Sequence, residues 1–292
     1  MAKVCVFTPT YNRVDLLQAL FRSLCEQTVN DFEWLIVDDG STDGTAEIVA
    51  EFKRQARFAI RYIYKENEGK QRAVNLALSI CECPIFFCVD SDDHLISDAI
   101  ESILRLWPEI ESRDDLAGLI SLRGTTVDTP LGSWMPSGVD EANSWDLYYE
   151  LGFTGDASLI YKTDIAKDYP YPVVDGERFI SECISSNEIA KRYSMKLLNR
   201  ILVVGEYQKG GLTDQSFRLI VENPQGYCLV KRQSVEMSAH FLQKCYHTCL
   251  YLAAARIAKK KSYVRTAPST LIAAICLIPS FFAQYLLERS IR

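Results

Sequence analysis

Positive charge is in short supply. The 292 residues carry 32 Lys and Arg against 38 Asp and Glu, a formal charge of −6. A nucleic-acid binder presents a basic face, so nucleic acid is excluded as a partner. Histidine is scarcer still, with only His94, His240 and His247. Any general base is therefore sought among the acids. Ten cysteines are present, yet none forms a C-x-x-C pair. Cys81-Glu82-Cys83 is the closest pairing, and it lacks the second pair or spaced histidines that complete a zinc site. Cys5 and Cys88 lie inside apolar runs, so the cysteines read as reduced, small hydrophobes. No internal repeat or low-complexity tract is visible. No charged, Ser-rich or secretory leader precedes the first apolar run, which predicts a cytosolic N-terminus. What remains, 48% hydrophobic and 24% charged, is ordinary globular composition.

Four short apolar runs alternate with helical periods through the first 90 residues or so. Val4 to Phe7 reads as a first buried strand, followed by a loop at Thr8-Pro9-Thr10-Tyr11-Asn12. Asn12 suits a helix N-cap, and Leu17, Leu20, Phe21 and Leu24 recur at the spacing of one apolar face. Phe32 to Val37 predicts a second strand ending in Asp38-Asp39-Gly40-Ser41, and Thr42 to Phe52 a second helix. Ile60 to Tyr64 is a third strand, and Ala73, Val74, Ala77 and Leu78 mark a third helix. Ile85 to Val89, after Pro84, is a fourth strand buried on both faces. Strands alternating with helices predict an α/β protein with a doubly wound, mostly parallel sheet.

The fourth strand stops at acid: Asp90-Ser91-Asp92-Asp93. In an extended segment Asp90 and Asp92 would share a face, about 7 Å apart. Like charges at that separation call for solvation or for a cation. Ligands of open α/β sheets bind beyond the carboxyl ends of the strands, where this run falls. Two other strand ends carry polar clusters, and a parallel sheet gathers all three on one edge. Asp39 fits a base N–H or a turn; Tyr11 fits a flat ring or ordinary packing; Lys70 and Arg72 fit phosphate charge or a solvated helix face. A nucleotide-diphosphate pocket accounts for them together.

Four stretches resemble the successive signatures of family 2 glycosyltransferases: Thr8-Pro9-Thr10-Tyr11-Asn12, Val37 to Asp43, Asn67 to Asn75 with Glu68-Gly69-Lys70 inside it, and Asp90-Ser91-Asp92-Asp93. The resemblance covers roughly the first 120 residues. It implies the GT-A fold and an inverting transferase that takes its sugar from a nucleotide diphosphate with the help of Mn²⁺ or Mg²⁺. Carried over, Pro9, Thr10 and Tyr11 line the nucleoside pocket and Asp39 contacts the base. Asn67, Gly69 and Lys70 border the base or ribose, Asp90 approaches the ribose, Ser91 joins the donor-binding residues, and Asp92 binds the metal. Oxygen ligands alone agree with a hard ion.

Leu116 to Leu122 predicts another strand. From Arg123 to Glu150 the pattern loosens into a long loop, with Trp134 and Trp145 as sugar platforms or packing groups. Gly155 to Lys162 returns to strand character and resembles the family's acceptor-side strand. In the family a Glu-Asp pair opens a helix. Aligning the helix through Ile184, Ile189, Ala190 and Tyr193 sets Glu182 on the second acid and Ser181 on the first. Displacement at an anomeric carbon needs a group that takes the proton of the attacking hydroxyl; Glu182 is the expected base and Glu177 its rival. Lys196 to Val204 predicts a strand, and Glu206 to Thr213 resembles the acceptor-side flap.

Ser234 to Ala258 reads as helical and runs into Lys259-Lys260-Lys261. Ser269 to Leu287 then holds no charged residue, just enough length to cross a bilayer of about 30 Å. With basic residues on its near side, the 265–292 tail is expected to contact a membrane. Lying on the membrane, spanning it, and packing on the soluble domain all stay open. The expected division is a nucleotide-sugar half at 1–122, an acceptor half with the base at 123–225, and a helical extension at 226–292. The expected activity is sugar transfer, from a UDP-sugar in the first instance, onto a saccharide or lipid-linked saccharide of the cell surface, at the cytoplasmic side. A nucleotidyltransferase would carry a Gly-rich loop where Thr8-Pro9-Thr10 stands, and Ser181 leaves room for a catalytically silent sugar-nucleotide binder.

Overall fold

β1 (Val4–Thr10) is an interior strand of the sheet, and every residue of it is buried. This is a computed structural model, and it describes residues 2–205 and 215–289. After β1 come α1 (Val14–Cys25), β2 (Phe32–Asp38), α2 (Thr45–Gln55), β3 (Ala59–Tyr64), α3 (Lys70–Ile80) and β4 (Ile85–Cys88). Then follow β5 (His94–Leu95), α4 (Ala99–Glu111), β6 (Leu116–Thr126), β7 (Thr129–Pro130), β8 (Glu141–Ala142) and α5 (Ser144–Tyr149). β9 (Ala157–Lys162), α6 (Thr163–Asp168), α7 (Cys183–Ala190) and β10 (Ser194–Val204) follow them. α8 (Ser216–Glu222), α9 (Pro224–Met237), α10 (Phe241–Ile257) and α11 (Thr270–Arg289) complete the described chain.

The sheet runs β3-β2-β1-β4-β9-β6-β10-β5. β3, β2, β1 and β4 are parallel, as are β6 and β10. β9 is antiparallel to both its neighbours and joins the two parallel blocks. The chain divides into two compact units, one of Met1–Pro170 with Ser186–Glu206 and one of Tyr171–Ser185 with Tyr207–Arg292. The first unit's core gathers α1 (Leu17, Leu20, Phe21, Leu24) and β2 (Phe32, Trp34) over β1 and β4. The second packs α9, α10 and α11 around Cys228, Leu252, Ala254 and Ala273.

Several local readings change. β1 continues through Thr8, Pro9 and Thr10, read above as loop, because β2 pairs with it as far as Asp38 while β4 stops at Phe7. Pro9, which donates no hydrogen bond, thus falls where one side of the strand has no partner strand. Asn12 is not the cap of α1: that position is Arg13, and Asn12 adopts φ 50, a left-handed conformation that Asn tolerates. The 123–150 stretch is no open loop, since β6 runs on to Thr126 and β7, β8 and α5 follow. Trp145 is buried there, stacked on Tyr149 at 4.0 Å, whereas Trp134 is exposed. The helix expected through Tyr193 ends at Ala190. The one expected over 234–258 is two helices, broken where Ser238 Oγ donates to the Ser234 carbonyl at 2.6 Å, a local bond that competes with helix continuation. The 206–213 flap lies outside the described residues, apart from which α11 has the expected apolar composition.

Candidate active site

The loops after β1, β2, β3 and β4 meet in a closed circuit. Asn12 N donates to Ser41 Oγ at 2.8 Å, and Thr42 N donates to Asn12 Oδ1 at 2.8 Å, tying the first loop to the second. Asp39 ties the second to the third. Its Oδ1 accepts from Lys65 Nζ at 2.6 Å and Glu68 N at 3.0 Å, and its Oδ2 from Gly69 N at 2.8 Å. The two loops approach so closely that a Cβ at Gly40, where φ is +92, would stand 2.9 Å from Asn67 N. Only glycine meets both conditions. Lys70, the first residue of α3, donates to Asp90 Oδ1 at 2.6 Å and carries the circuit to the fourth loop. Arg13 closes it, its guanidinium 3.0 Å from Asp92.

Every sequence-selected donor-side residue therefore sits in one unit and on one rim: Pro9, Thr10, Tyr11, Asp39, Asn67, Gly69, Lys70, Asp90, Ser91 and Asp92. Tyr11 is 48% exposed, while the Thr10 hydroxyl is buried and has no hydrogen-bond partner among the described residues. Asp38 serves the loop itself, accepting from Tyr62 OH at 2.6 Å and Ser41 N at 2.8 Å. Arg72 turns to Glu68, 3.8 Å away, rather than to the acidic run.

The acidic run is not extended. Asp93 N donates to the Asp90 carbonyl at 3.1 Å, so residues 90–93 form a turn and the expected alternation of side chains does not apply. A turn lets positive groups surround the carboxylates. Burial opposes ionisation of Asp90, yet Lys70 above all, then Arg123 and Arg13, hold its pKa below the ordinary value. Asp93 goes the other way: burial pushes it up to about 6 against the pull of Arg123. Arg123 grips both Asp93 oxygens at 2.6 Å and lies 3.5 Å from Asp156. Gly205 leaves room for this arrangement, since a Cβ there would meet Asp93 Oδ1 at 2.0 Å.

Arg13, Lys65 and Arg123 were not selected from the sequence as site residues. Their signal was positional: each follows a strand end on the ligand edge or, for Arg123, lies toward the carboxyl end of β6.

The acids considered as base belong to the second unit. Glu177 is buried, and its two oxygens accept from Gln225 N and Gly226 N, each at 2.7 Å. It thus occupies the N-terminus of α9, satisfying two amides that the helix leaves without internal partners. Glu182 is exposed and immediately precedes α7.

The model for glycosyl transferase family 2 matches residues 5–166. The chain belongs to that family. An uncharacterized glycosyltransferase of Rickettsia conorii is 38% identical over 107 residues, which is 37% of this chain and 17% of that protein. The poly(ribitol-phosphate) beta-N-acetylglucosaminyltransferase TarS of Staphylococcus aureus is 28% identical over 170 residues, 58% of this chain and 29% of TarS. The matched stretch thus spans less than a third of either relative. The crystal structure of S. aureus TarS 1–349 in complex with UDP-GlcNAc superposes with TM-score 0.59 at 17% identity, covering 99% of this chain and 91% of that one. A mannosyltransferase of Pyrobaculum calidifontis, in complex with GDP-Man and Mn²⁺, gives 0.58 at 17% identity, covering 98% and 84%. At these identities the likeness establishes the fold, the GT-A arrangement expected above.

The residues present fit a hard divalent ion. Asp92 and Asp90 offer carboxylate oxygens only, and the guanidinium resting on Asp92 marks a place where positive charge is already held. Among the described residues no group of three or more metal-ligating side chains occurs. Hard divalent ions are commonly held by one or two carboxylates together with substrate phosphates and water.

Proposed function

We propose that this family 2 member is an inverting glycosyltransferase that moves a sugar from a nucleotide diphosphate, a UDP-sugar in the first instance, onto a hydroxyl of a saccharide or lipid-linked saccharide in cell-surface polysaccharide synthesis. The closed circuit of four loops carries this reading, because it gathers an exposed aromatic ring, a buried hydroxyl with no partner among the described residues, and alternating acids and bases on one rim. The N-acetylglucosaminyl transfer to poly(ribitol-phosphate) for which TarS is named, and its complex with UDP-GlcNAc, support the choice of donor and polymer. A cytoplasmic position at the membrane face suits such an acceptor.

In this reading Tyr11 lies along the base, and Pro9, Thr10, Asn67 and Gly69 shape the nucleoside pocket. Asp39 holds the 65–69 loop and offers its one remaining lone pair, on Oδ2, to a base N–H. Asp90 and Ser91 approach the ribose, and Lys70 keeps Asp90 ionised. Asp92, with Asp90 beside it, would hold Mn²⁺ or Mg²⁺. When bound, such an ion neutralises the charge that develops on the departing diphosphate. Arg13 and Lys70 add fixed positive charge next to the same oxygens. Glu182 accepts the proton of the attacking hydroxyl, so that one displacement inverts the anomeric centre. Glu182 is exposed to solvent, while Glu177 is buried and accepts two backbone amides of α9.

The test is incubation with a panel of sugar nucleotides, Mn²⁺ and a saccharide acceptor. Acceptor-dependent release of nucleoside diphosphate is expected. Release of pyrophosphate would mark a nucleotidyltransferase, and no release with any donor would mark a silent binding subunit; either overturns the proposal.

A further inference from the structure

The second unit carries a surface that sugar transfer does not use. α11 buries one stripe, Ala273, Cys276, Ser280 and Leu287, whose steps of three, four and seven describe a single helical face. Arg256 of α10 pins that side. Its guanidinium donates to Gln284 Oε1 at 2.7 Å, Ser280 Oγ at 2.9 Å and the Ser280 carbonyl at 2.6 Å, and covers the Phe281 ring at 4.0 Å. Contacts from one fork to two successive turns fix the rotation of the helix about its axis, so the opposite stripe must face away.

That stripe is Leu271, Ile275, Ile278, Phe282 and Tyr285, all exposed, Ile278 by 82% and Leu271 by 73%. A helix facing only water carries charge on this side. Here no charged residue occurs from Thr266 to Leu287. Contiguous apolar surface of this kind marks an interaction site.

Charge selects the occupant. Residues 256–292 hold seven Lys and Arg against Glu288 alone, a net +6, which leaves −12 on the rest of a chain whose total is −6. Lys259, Lys261 and Arg265, just ahead of α11, are exposed. A second copy docking through this region would set +6 against +6. Anionic lipid offers negative headgroups directly above an apolar interior.

We propose that α11 lies in the plane of an anionic bilayer, with the Leu271–Tyr285 stripe among the acyl chains and Lys259, Lys261 and Arg265 among the headgroups. The Arg256 clasp is the reason for an in-plane helix: a helix crossing the bilayer would carry the guanidinium on Ser280 and Gln284 into hydrocarbon. The inference uses the second unit alone and does not depend on the sugar-transfer reading.

The test is cosedimentation of the full chain with phosphatidylcholine vesicles, with or without phosphatidylglycerol. Binding should be about tenfold or more tighter with phosphatidylglycerol and should weaken as salt rises. Leu271→Glu with Ile278→Glu, both at exposed positions, should cut binding about a hundredfold with an unchanged circular-dichroism spectrum. Lys259→Glu with Lys261→Glu should remove the preference for phosphatidylglycerol. Alkaline carbonate should release the bound protein. The proposal is overturned if the wild-type chain stays in the supernatant with phosphatidylglycerol vesicles, or if the apolar-stripe variant binds as well as wild type. Resistance to carbonate, the mark of a spanning helix, overturns it too, as does self-association lost in the stripe variant without any vesicle binding.

Discussion

The Arg13 guanidinium stands 3.0 Å from the Asp92 carboxylate, linking the loop after β1 to the turn after β4. A cation at that point offsets the repulsion among Asp90, Asp92 and Asp93, and it competes with any metal for the same oxygens. Replacing Arg13 with Ala is therefore expected to tighten Mn²⁺ binding in the absence of nucleotide by about fivefold, the equivalent of a partly exposed ion pair worth about 1 kcal/mol. Electron paramagnetic resonance of free Mn²⁺ reads this directly. An affinity that is unchanged or weaker counts against Asp92 as a ligand.

Glu182 and Glu177 are separable because they stand in different surroundings. Glu182→Gln should lower transfer about a hundredfold or more, the usual scale for a general base, with donor affinity unchanged. Glu177→Gln replaces a carboxylate that two amides of α9 point to at 2.7 Å, and should cost about 1–2 kcal/mol of stability while transfer in the folded fraction persists. The opposite assignment of losses, read from steady-state kinetics beside urea denaturation, would transfer the proposed role to Glu177.

Asp39→Asn leaves a neutral amide where a carboxylate accepts one ammonium and two backbone amides. An amide offers one acceptor oxygen, so at least one of those donors loses its partner. The expected cost is about 2–4 kcal/mol, together with weaker UDP binding by calorimetry because the 65–69 loop is no longer held. Retention of both stability and UDP affinity would separate Asp39 from the pocket.

His247 is buried in α10, and burial, followed by the charge of Lys231, lowers its pKa from 6.5 to about 4. Between those values the unfolded chain binds a proton that the folded chain refuses, so stability falls as the solution is acidified through that window. The contribution is about 3 kcal/mol at most. His247→Gln should flatten the difference between urea midpoints at pH 7 and below pH 5. Parallel curves for the two proteins would show that this imidazole titrates as it does in water.

The parallel block was legible because its strands are short, mainly apolar stretches, interrupted by charge only at Glu33 in β2 and Arg61 in β3, and hydrophobic periodicity reports such elements well. Val4 to Phe7 and Ile85 to Cys88 are paired in register as parallel strands. The antiparallel direction of β9 was not legible, since Ala157 to Lys162 alternates in the same way whichever way its neighbours run. Asp39 and Lys70 could be selected from their place after strands and before helices. Arg13 shares that positional signal, but its role was not legible, because it comes from a contact 79 positions further along the chain, with Asp92. The end of the fourth strand at Asp90 was legible, but not the side-chain directions beyond it: the bond from Asp93 N to the Asp90 carbonyl turns the acid run and removes the alternation an extended segment would have. The different stations of Glu177 and Glu182 depend likewise on where α9 begins, a distant fact with no local mark.

The most direct measurement is anomalous scattering at the manganese edge from a crystal grown with UDP and Mn²⁺. The expected result is a single strong peak about 2.0–2.3 Å from an Asp92 oxygen, bridged to the diphosphate, with Arg13 moved off that carboxylate and the uracil against Tyr11. Manganese and UDP bound away from the rim formed by Tyr11, Asp39, Lys70 and Asp92, or a rim left untouched at saturating UDP, would contradict the assignment of this circuit as a sugar-nucleotide site.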